Sequence, residues 1–344
     1  MADRFLPPLK TPLEAGYRMP PEWAPHARCW MAWPARVELW GKQLGATQST
    51  YAAVARAVAR FEPVTLLVPP QDLENAAAQC EGAVDILPMD LDDSWTRDSG
   101  PNFVKNEKGE LAASIFHFNA WGRKFERFGR DAAMGHRIAE YLGVPTFTSP
   151  LFMEGGGINV DGEGTVITSE SCILNPNRNP RLTKAEAERE LCRALGAKKV
   201  LWIPGDPTDQ ATDGHVDGHA CFVRPGVVLV EICPDPANER YALLQENLKA
   251  LKGATDAGGR PLEIVTINEA HEAQSEGDFY CISYINFYIA NGGIVMPEYG
   301  IPGDVQAFEI ISRLFPDREV GQVNIHNVAV GGGGIHCITQ QQPA

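Results

Sequence analysis

Pairs of short apolar runs joined by glycine-containing turns recur along this chain of 344 residues. Short runs rich in Val, Ile, Phe and Ala that are separated by two or three turn residues are typical of β-hairpins. The predicted hairpins cover residues 102–118, 157–169, 220–232 and 286–296, with turns at Lys108-Gly109, Asp161-Gly162, Pro225-Gly226 and Asn291-Gly292-Gly293. One local design therefore repeats four times.

A helix-like stretch follows most of these hairpins, and a short apolar strand follows the helix. The predicted helices cover residues 130–141, 183–195, 239–251 and 304–314, and the strands after them include residues 200–203 and 262–267. Thr183 with Glu186 forms a capping box, which predicts where the second helix starts. We expect a fifth unit from the two ends of the chain, with residues 29–33 or 64–68 pairing near residues 335–339.

The repeated ββαβ unit favours one continuous α/β domain over residues 1–344. Repeats arranged about an axis would bring the glycine-rich turns to one central face. No low-complexity linker, charge block or heptad pattern interrupts the series. Two independent α/β domains are the alternative, because the length of the chain also allows them.

Composition narrows the class of protein. Apolar residues make up 44% of the chain and charged residues 22%, as in globular proteins with a substantial core. The formal net charge of -14 argues against nucleic acid or an anionic membrane surface as a partner and is compatible with a cationic ligand. The first residues lack the apolar segment of a signal peptide, and no apolar run is long enough to span a bilayer, so we expect a cytoplasmic protein. Whether it forms a homo-oligomer stays open.

One cysteine has an unusual setting. The eight cysteines show no CxxC spacing and lie mostly in apolar segments, which indicates reduced thiols rather than a disulfide framework or a zinc cluster. Cys337 differs, because the run Gly331-Gly332-Gly333-Gly334 shortly precedes it. Residues without side chains beside a thiol suggest that another group approaches the backbone there. A flexible tail with an incidental cysteine is the simpler alternative.

A histidine-containing segment lies just before the third hairpin. It reads Asp213-Gly214-His215-Val216-Asp217-Gly218-His219 and continues into an apolar run. If that run is a strand entered near His215, the two-residue period places His215, Asp217 and His219 on one face. An imidazole and a carboxylate on one face could then address the same bound molecule. A surface histidine is the alternative.

Two further segments place an acid beside glycine. Asp98 follows Trp95 and precedes a Gly-Pro turn, and Glu154 precedes Gly155-Gly156-Gly157. Turn formation or helix capping explains either segment taken alone, because Asp, Gly and Pro are the ordinary residues of turns.

Together these groups indicate a chemistry. A cysteine nucleophile needs a base or a lowered pKa, because a free thiol with a pKa of about 8.5 is mostly protonated at neutral pH. His215 can manage the proton for Cys337. Several carboxylates have no obvious use in attack on a neutral amide, whereas a guanidinium presents forked donors that match carboxylates. Carboxylates around a cysteine therefore point to a guanidinium substrate.

These motifs resemble the agmatine deiminases of the peptidylarginine deiminase group, over nearly the whole chain and in the same order. The matching segments are Gly16-Tyr17-Arg18-Met19-Pro20-Pro21-Glu22-Trp23, Trp95-Thr96-Arg97-Asp98-Ser99-Gly100-Pro101, Glu154-Gly155-Gly156, Leu174-Asn175-Pro176-Asn177-Arg178-Asn179-Pro180, Thr212-Asp213-Gly214-His215-Val216-Asp217 and Ile335-His336-Cys337-Ile338-Thr339-Gln340-Gln341. The resemblance implies the five-bladed α/β propeller of the guanidino-group-modifying superfamily, built from ββαβ repeats about a pseudo-fivefold axis.

The resemblance also implies roles for single residues. Cys337 matches the nucleophile, His215 the general acid and base, and Asp98 and Asp217 the two carboxylates that hold the guanidinium. Thiolate attack would release ammonia, and water would then release a ureido product from a covalent thiouronium. The implied reaction converts agmatine to N-carbamoylputrescine, a step of polyamine biosynthesis toward putrescine, and needs no metal or organic cofactor.

Two other residues match parts of the same site. Glu154 matches an acid that biases the histidine toward its protonated form. Trp95 resembles a wall of the substrate pocket.

Two positions depart from the family pattern. The family commonly has Asn where this chain has Gly334, so we expect a side-chain amide near the nucleophile to be missing. Gly218-His219 also differs from the residues that usually follow the His-x-Asp motif. Because these positions lie beside the expected pocket, a different small guanidino substrate is the alternative to agmatine.

Two other classes of function stay open. His215, Asp217 and His219 are suitable metal ligands, with Asp98 or Glu154 as a fourth, and would make a metallohydrolase. That assignment leaves Cys337 without a role. A protein that binds guanidino compounds without turning them over would keep the carboxylates but has no need of both a thiol and an imidazole.

Overall fold

The computed structural model describes residues 10–273 and 279–344. Its strands in these ranges are β1 Tyr17–Arg18, β2 His26–Ala32, β3 Val64–Val68, β4 Asp85–Pro88, β5 Asn102–Asn106, β6 Leu111–His117, β7 Thr146–Phe152, β8 Ile158–Val160, β9 Thr165–Ser169, β10 Lys199–Ile203, β11 Ala220–Arg224, β12 Val227–Ile232, β13 Glu263–Asn268, β14 Tyr288–Ala290, β15 Gly293–Glu298, β16 Glu319–Asn324 and β17 Gln340–Pro343.

Helices and single helical turns lie between the strands. They are α1 Val37–Trp40, α2 Leu44–Ala59, α3 Leu73–Cys80, α4 Thr96–Ser99, α5 Ala120–Arg123, α6 Gly129–Ala132, α7 Met134–Leu142, α8 Glu170–Ile173, α9 Lys184–Leu195, α10 Arg240–Leu251, α11 Gly303–Leu314 and α12 His326–Ala329. Short 3₁₀ segments include Gly155–Gly157 and Val216–Gly218. The turn α5 is left-handed, with positive φ at Ala120, Trp121 and Arg123.

Within the described ranges, the strands form five sheets that share one arrangement. Their strand orders are β1-β5-β6-β7, β10-β9-β8, β11-β12-β13, β14-β15-β16 and β17-β2-β3-β4. Each sheet contains an antiparallel pair and a further strand that runs parallel to one member of that pair. A parallel neighbour requires a crossover, and helices such as α9, α10 and α11 supply it.

The four predicted hairpins are confirmed as the pairs β5–β6, β8–β9, β11–β12 and β14–β15. The capping box is also confirmed, because the Thr183 side chain accepts the Glu186 amide and the Glu186 side chain accepts the Thr183 amide. The predicted helix over residues 130–141 is instead split at Ala133 into α6 and α7. Asp131 accepts two backbone amides from residues 92 and 93, which ties the first turn to another segment.

The two ends of the chain meet in one sheet, as expected, but the C-terminal strand of that sheet is β17 instead of residues 335–339. β17 pairs antiparallel to β2 with Gln340 opposite Trp30, and β3 lies parallel to β2. The expected pairing near residues 335–339 is wrong, because these residues form a compact turn. In this turn the Thr339 hydroxyl donates to the Ile335 carbonyl and the Thr339 amide donates to the His336 carbonyl.

The largest apolar cluster joins side chains from several sheets. Fully buried members include Trp33 after β2, Leu66 in β3, Leu229 in β12 and Val295 in β15. Cys337 belongs to the same cluster, so the turn that carries it is anchored in the core. No helix among the described residues is long and apolar enough to cross a membrane.

Candidate active site

Cys337 lies in the turn between the glycine run and β17, and only 5% of its surface is exposed. The glycines give the turn room. A Cβ atom on Gly333 would lie 2.4 Å from the Trp95 ring and 3.1 Å from the Cys337 Sγ. The close approach to the backbone that the glycine run predicts is therefore observed at Gly333, which leaves no room for a side chain between Trp95 and the thiol.

Asn286 contacts Cys337 through both ends of its side-chain amide. Its Nδ2 donates to the Cys337 Sγ at 3.2 Å, and its Oδ1 accepts the Cys337 backbone amide at 3.2 Å. The amide can be oriented only this way, because the backbone N–H needs an acceptor. A Cβ on Gly334 would lie 2.6 Å from Asn286 Oδ1. The expectation that no side-chain amide lies near the thiol is therefore wrong, since the space left by Gly334 lets Asn286 supply one.

Asp217 contacts the thiol directly. Its Oδ2 lies 3.5 Å from the Cys337 Sγ and 2.8 Å from His336 Nδ1. It belongs to the 3₁₀ turn Val216–Gly218, and β11 begins only at Ala220. The prediction that His215, Asp217 and His219 lie on one face of a strand is therefore wrong, because a 3₁₀ turn repeats every three residues and a strand every two.

Asp98 lies in the turn α4, which docks on the turn of Cys337. The Arg97 backbone amide donates to the Cys337 carbonyl at 3.1 Å. Trp121 Nε1 donates to Asp98 Oδ2 at 2.8 Å, and the Gly156 amide donates to Asp98 Oδ1 at 3.0 Å. These donors fix the Asp98 carboxylate. Burial outweighs these contacts and raises the pKa of Asp98, and the negative charge of the nearby Asp217 adds to the rise.

His215 lies between two carboxylates. Its Nε2 is 3.1 Å from Glu154 Oε2, while its Nδ1 is 3.7 Å from Asp98 Oδ1 and has no hydrogen-bond partner. Burial alone would lower the pKa of His215, but the Asp98 and Glu154 carboxylates outweigh burial and raise it well above its usual value. The imidazole is therefore held in its protonated form with Nδ1 free.

Glu154 is fully buried and paired on both sides. Arg178 Nε donates to Glu154 Oε1 at 3.0 Å, and the Arg178 guanidinium also pairs with Asp213. Burial would raise the pKa of Glu154, but Arg178 and then His215 outweigh it and lower the pKa to about 2. Glu154 therefore stays ionised and orients His215.

The groups converge beside the glycine run that follows Glu154. A Cβ placed on Gly156 would lie 2.5 Å from His215 Nδ1, 2.8 Å from Asp98 Oδ1 and 3.0 Å from Asp217 Oδ2. The backbone of Gly156 thus forms one side of a small space enclosed by an imidazole and two carboxylates. Glycine leaves these three side chains free to meet.

The thiol itself is neutral before any ligand enters. Burial raises the pKa of Cys337 well above its usual value, and the negative charges of Asp217 and Asp98 add to the effect. A cation placed between the two carboxylates would reverse this balance and favour the thiolate. The site is therefore suited to a cationic guest next to the sulfur.

Trp95 closes the site on its apolar side. It is buried, and its Nε1 donates to Asp93 at 3.2 Å. Trp95 lines a narrow cavity together with Trp121, Phe125 and Cys337. The sequence-predicted residues Cys337, His215, Asp98, Asp217, Glu154 and Trp95 thus all lie around one site.

Comparison with known proteins identifies the family of the chain. Residues 18–343 match the family described as Porphyromonas-type peptidyl-arginine deiminase. The chain belongs to this family. A putative agmatine deiminase of Legionella pneumophila is 44% identical over 335 residues, covering 96% of each chain, and an agmatine deiminase of Pseudomonas aeruginosa is 40% identical over 362 residues, covering 98% of each. The solved structure of the agmatine deiminase of Enterococcus faecalis superposes with a TM-score of 0.94 at 34% identity and covers 98% of each chain.

Membership in the deiminase family makes the chain an enzyme, a hydrolase of the class that acts on C–N bonds of guanidino compounds. The α/β fold is likewise that of the family's solved structures. The predicted resemblance is therefore confirmed at the level of fold class and family.

Two further residues of this deiminase support Asp217 and were not predicted. His336 bridges Asp217 Oδ2 and Glu22 Oε1, which lies 3.0 Å from its Nε2, and Arg97 lies 3.8 Å from the same Glu22 oxygen. His336 stands beside Cys337 in the sequence, but Glu22 lies more than 300 residues away. No local pattern could connect the two.

The predicted metal ligand set is not brought together. Among the described residues, the group of three that could hold a metal is Glu154, Cys172 and His215, whose ligand atoms lie within 4.8 Å of one another. Neither Asp217 nor His219 belongs to it. Arg178 already neutralises Glu154, and burial raises the pKa of the Cys172 thiol, so this group has little charge to offer a cation.

Proposed function

We propose that this protein deiminates agmatine to N-carbamoylputrescine and ammonia through a covalent thiouronium on Cys337. The observation that carries the proposal is the convergence of Asp98, Asp217 and His215 beside the buried thiol. The relatives that share most of the chain are named agmatine deiminases, which supports agmatine as the substrate.

Binding uses the two carboxylates. Asp98 and Asp217 accept the forked donors of the guanidinium and hold it flat against the thiol. Trp95 packs against the apolar side of the ligand. Fixing the guanidinium carbon next to Sγ supplies orientation that lowers the barrier by several kcal/mol. The cation also favours ionisation of Cys337, so the thiol proton is released to solvent as the substrate binds.

The first chemical step forms the C–S bond. The Cys337 thiolate attacks the guanidinium carbon, and the free Nδ1 of the His215 imidazolium gives its proton to the departing nitrogen. Ammonia leaves as the C–N bond breaks. Glu154 holds the other ring nitrogen and keeps the imidazole in place during this transfer.

The second step uses water. Neutral His215 takes a proton from a water molecule, and the hydroxide attacks the thiouronium carbon. The C–S bond then breaks as the hydroxyl proton of the adduct passes to the departing sulfur, which leaves a carbonyl on the product. N-carbamoylputrescine leaves, and Cys337 is restored. The steps consume one water and release one ammonia, and they use no metal or organic cofactor.

We also propose that residues 1–344 form a single five-bladed propeller about a pseudo-fivefold axis. Five sheets with one shared strand arrangement support this architecture, as does the pairing of β17 with β2, which joins the two ends of the chain. The site then lies where the turns of the blades meet.

The test is a colorimetric assay for ureido product with agmatine, arginine, 4-guanidinobutyrate and a peptidylarginine, each with and without a chelator. We expect turnover of agmatine that the chelator leaves unchanged. Cys337→Ala should abolish turnover and retain agmatine binding. Cys281→Ala alters a second thiol, which lines another cavity beside Cys337, and should retain turnover. Turnover by Cys337→Ala, or loss of turnover with chelator, would refute the mechanism, and turnover of another substrate instead of agmatine would refute the specificity.

A further inference from the structure

Asp93 is a fully buried carboxylate that takes no part in the proposed reaction. Its Oδ2 accepts hydrogen bonds from Trp95 Nε1 at 3.2 Å and from Arg36 Nε at 3.0 Å. Its Oδ1 accepts the Ser94 amide at 2.9 Å, the Ser94 hydroxyl at 3.2 Å and Trp40 Nε1 at 3.4 Å. One carboxylate thus orients two indole rings, those of Trp40 and Trp95, which we call the indole pair.

Asp93 accepts these hydrogen bonds in its ionised form. All five contacts come from donor groups, so a proton on the carboxyl would displace at least one of them. Burial raises the pKa of Asp93, and the Arg36 guanidinium is the largest influence that opposes the rise. Arg36 is buried as well, donates to the Arg127 carbonyl at 2.8 Å and lies 4.7 Å from the ring centroid of Phe125. The two opposite charges are therefore fixed inside the protein.

The indole pair faces the glycine run that precedes Cys337. A Cβ atom on Gly331 would lie 2.3 Å from the outer ring of Trp40, and a Cβ atom on Gly333 would lie 2.4 Å from the outer ring of Trp95. The two indole rings are themselves neighbours, with centroids 5.7 Å apart. The glycine run therefore packs directly against both rings, and neither contact leaves room for a side chain.

Trp40 acts at a distance from any ligand. It is only 3% exposed and does not line the cavity that Trp95 shares with Cys337. Gly333 contacts both Trp95 and the thiol, since its Cβ would lie 3.1 Å from the Cys337 Sγ. An effect of Trp40 on the reaction must therefore pass through the glycine run or through Asp93.

We propose that Asp93 and Trp40 are positioning residues for the nucleophile. Asp93 fixes the indole pair, the pair fixes the glycine run, and the run places the Cys337 Sγ against the guanidinium carbon. The inference rests on the proposed function, which makes Cys337 the nucleophile. Because Asp98 and Asp217 bind the guanidinium, Asp93 and Trp40 should govern the rate of C–S bond formation and leave the affinity for the substrate unchanged.

Trp40→Phe is the first test, because Asp93→Asn would leave the buried Arg36 charge unpaired and could prevent folding. The phenyl ring lacks Nε1 and the outer ring that faces Gly331. Since a misplacement of about 1 Å at a reacting group costs roughly a hundredfold in rate, kcat for agmatine should fall about ten- to a hundredfold. The Kd for agmatine, measured by calorimetry in the Cys337→Ala background, should stay within about threefold. An unchanged kcat, or a loss that appears in Kd instead of kcat, would overturn the inference.

A second substitution tests the contact itself. The φ of Gly331 lies outside the left-handed region, so alanine can adopt its backbone conformation. Gly331→Ala alone presses its new Cβ against Trp40 and should lower kcat. In Trp40→Phe/Gly331→Ala the methyl group fills the space that the shorter ring leaves, so kcat should be at least about threefold higher than in Trp40→Phe. Single effects that simply multiply would show that the two residues do not act through this contact, and would overturn the inference.

Trp30→Phe is the matched control. Trp30 is fully buried, and its Nε1 donates to Gln342 Oε1 at 3.0 Å in β17, the strand that follows the turn of Cys337. This variant also loses a buried indole hydrogen bond but leaves the indole pair intact, so kcat should stay within about threefold. An equal loss of kcat in Trp30→Phe and Trp40→Phe would indicate a general loosening of the C-terminal segment, and would overturn the inference.

Alkylation of Cys337 separates this inference from the proposed reaction. Chloroacetamidine carries a cationic amidinium beside an electrophilic carbon, so its rate of reaction reports how the thiol meets a cation without any deimination. Slower alkylation of Cys337 in Trp40→Phe than in Trp30→Phe, followed by mass spectrometry, supports the positioning role even if the wild type turns over no agmatine. Turnover of agmatine with equal alkylation rates in the two variants refutes the positioning role while the deiminase reaction stands.

Discussion

Gly156→Ala adds one methyl group at the point where His215, Asp98 and Asp217 meet. The new Cβ would lie 2.5 Å from His215 Nδ1 and 2.8 Å from Asp98 Oδ1. To reach an ordinary contact of 3.4 Å, His215 must recede by about 0.9 Å and Asp98 by about 0.6 Å. Both atoms face the guanidinium in the proposed complex, so the methyl group misplaces the groups that bind and protonate the substrate.

The size of this displacement sets the expected loss of kcat/KM. A misplacement of about 1 Å at a reacting group costs roughly a hundredfold in rate, so kcat/KM for agmatine should fall at least about a hundredfold. Overpacking of this kind costs about 1–3 kcal/mol of stability, which a folded protein of this size can tolerate. The variant should therefore fold and lose activity.

The assay measures initial rates of ureido product, together with thermal unfolding. Gly157→Ala is the control, because its Cβ would meet only the flexible end of Met153 at 3.1 Å among its close contacts. We expect this control to retain activity within about threefold. Wild-type kcat/KM in Gly156→Ala would refute the placement of the guanidinium between Asp98 and His215.

Three further predictions concern the thiol and the buried ion pairs. Cationic chloroacetamidine should inactivate the enzyme quickly at pH 7, whereas neutral iodoacetamide should require a pH above 9. The reason is that the pKa of Cys337 is raised until a cation binds. Equal rates of inactivation by the two reagents at pH 7 would contradict this account. Asn286→Ala should slow inactivation by chloroacetamidine about ten- to a hundredfold, since it removes the donor to Sγ, and an unchanged rate would exclude that role. Glu154→Gln should have a lower free energy of unfolding in urea than the wild type above pH 4.5. This difference in free energy should narrow as the pH falls toward 2, because the pKa of Glu154 is lowered to about 2 in the folded state. A difference that does not depend on pH would contradict the ion pair.

Local signals predicted much of the fold. The hairpin turns at Asp161-Gly162 and Pro225-Gly226 connect the strands that the sequence indicated, because turn chemistry acts over a few residues. The helix start at Thr183 follows from its capping box for the same reason. The strand β17 was misplaced by a few residues, since its limits depend on pairing with β2 at the other end of the chain.

The candidate site was predictable where chemistry stood next to glycine. Cys337 and Glu154 border runs of glycine that leave space around them, and the sequence shows these runs directly. Asn286 and Glu22 reach the site only through tertiary contacts, and nothing in their local sequence indicates a partner. The 3₁₀ turn at Asp217 escaped prediction because the apolar run after it suggested that the strand began earlier.

The most direct test of the account is to trap the covalent intermediate. Wild-type protein mixed with agmatine is quenched in acid within the first turnover, digested and analysed by mass spectrometry. The account predicts that the peptide containing Cys337 gains the mass of agmatine less ammonia, and that the gain disappears in Cys337→Ala. Release of ureido product by the wild type with no such gain on Cys337, or with the gain on another cysteine, would contradict the proposed nucleophile.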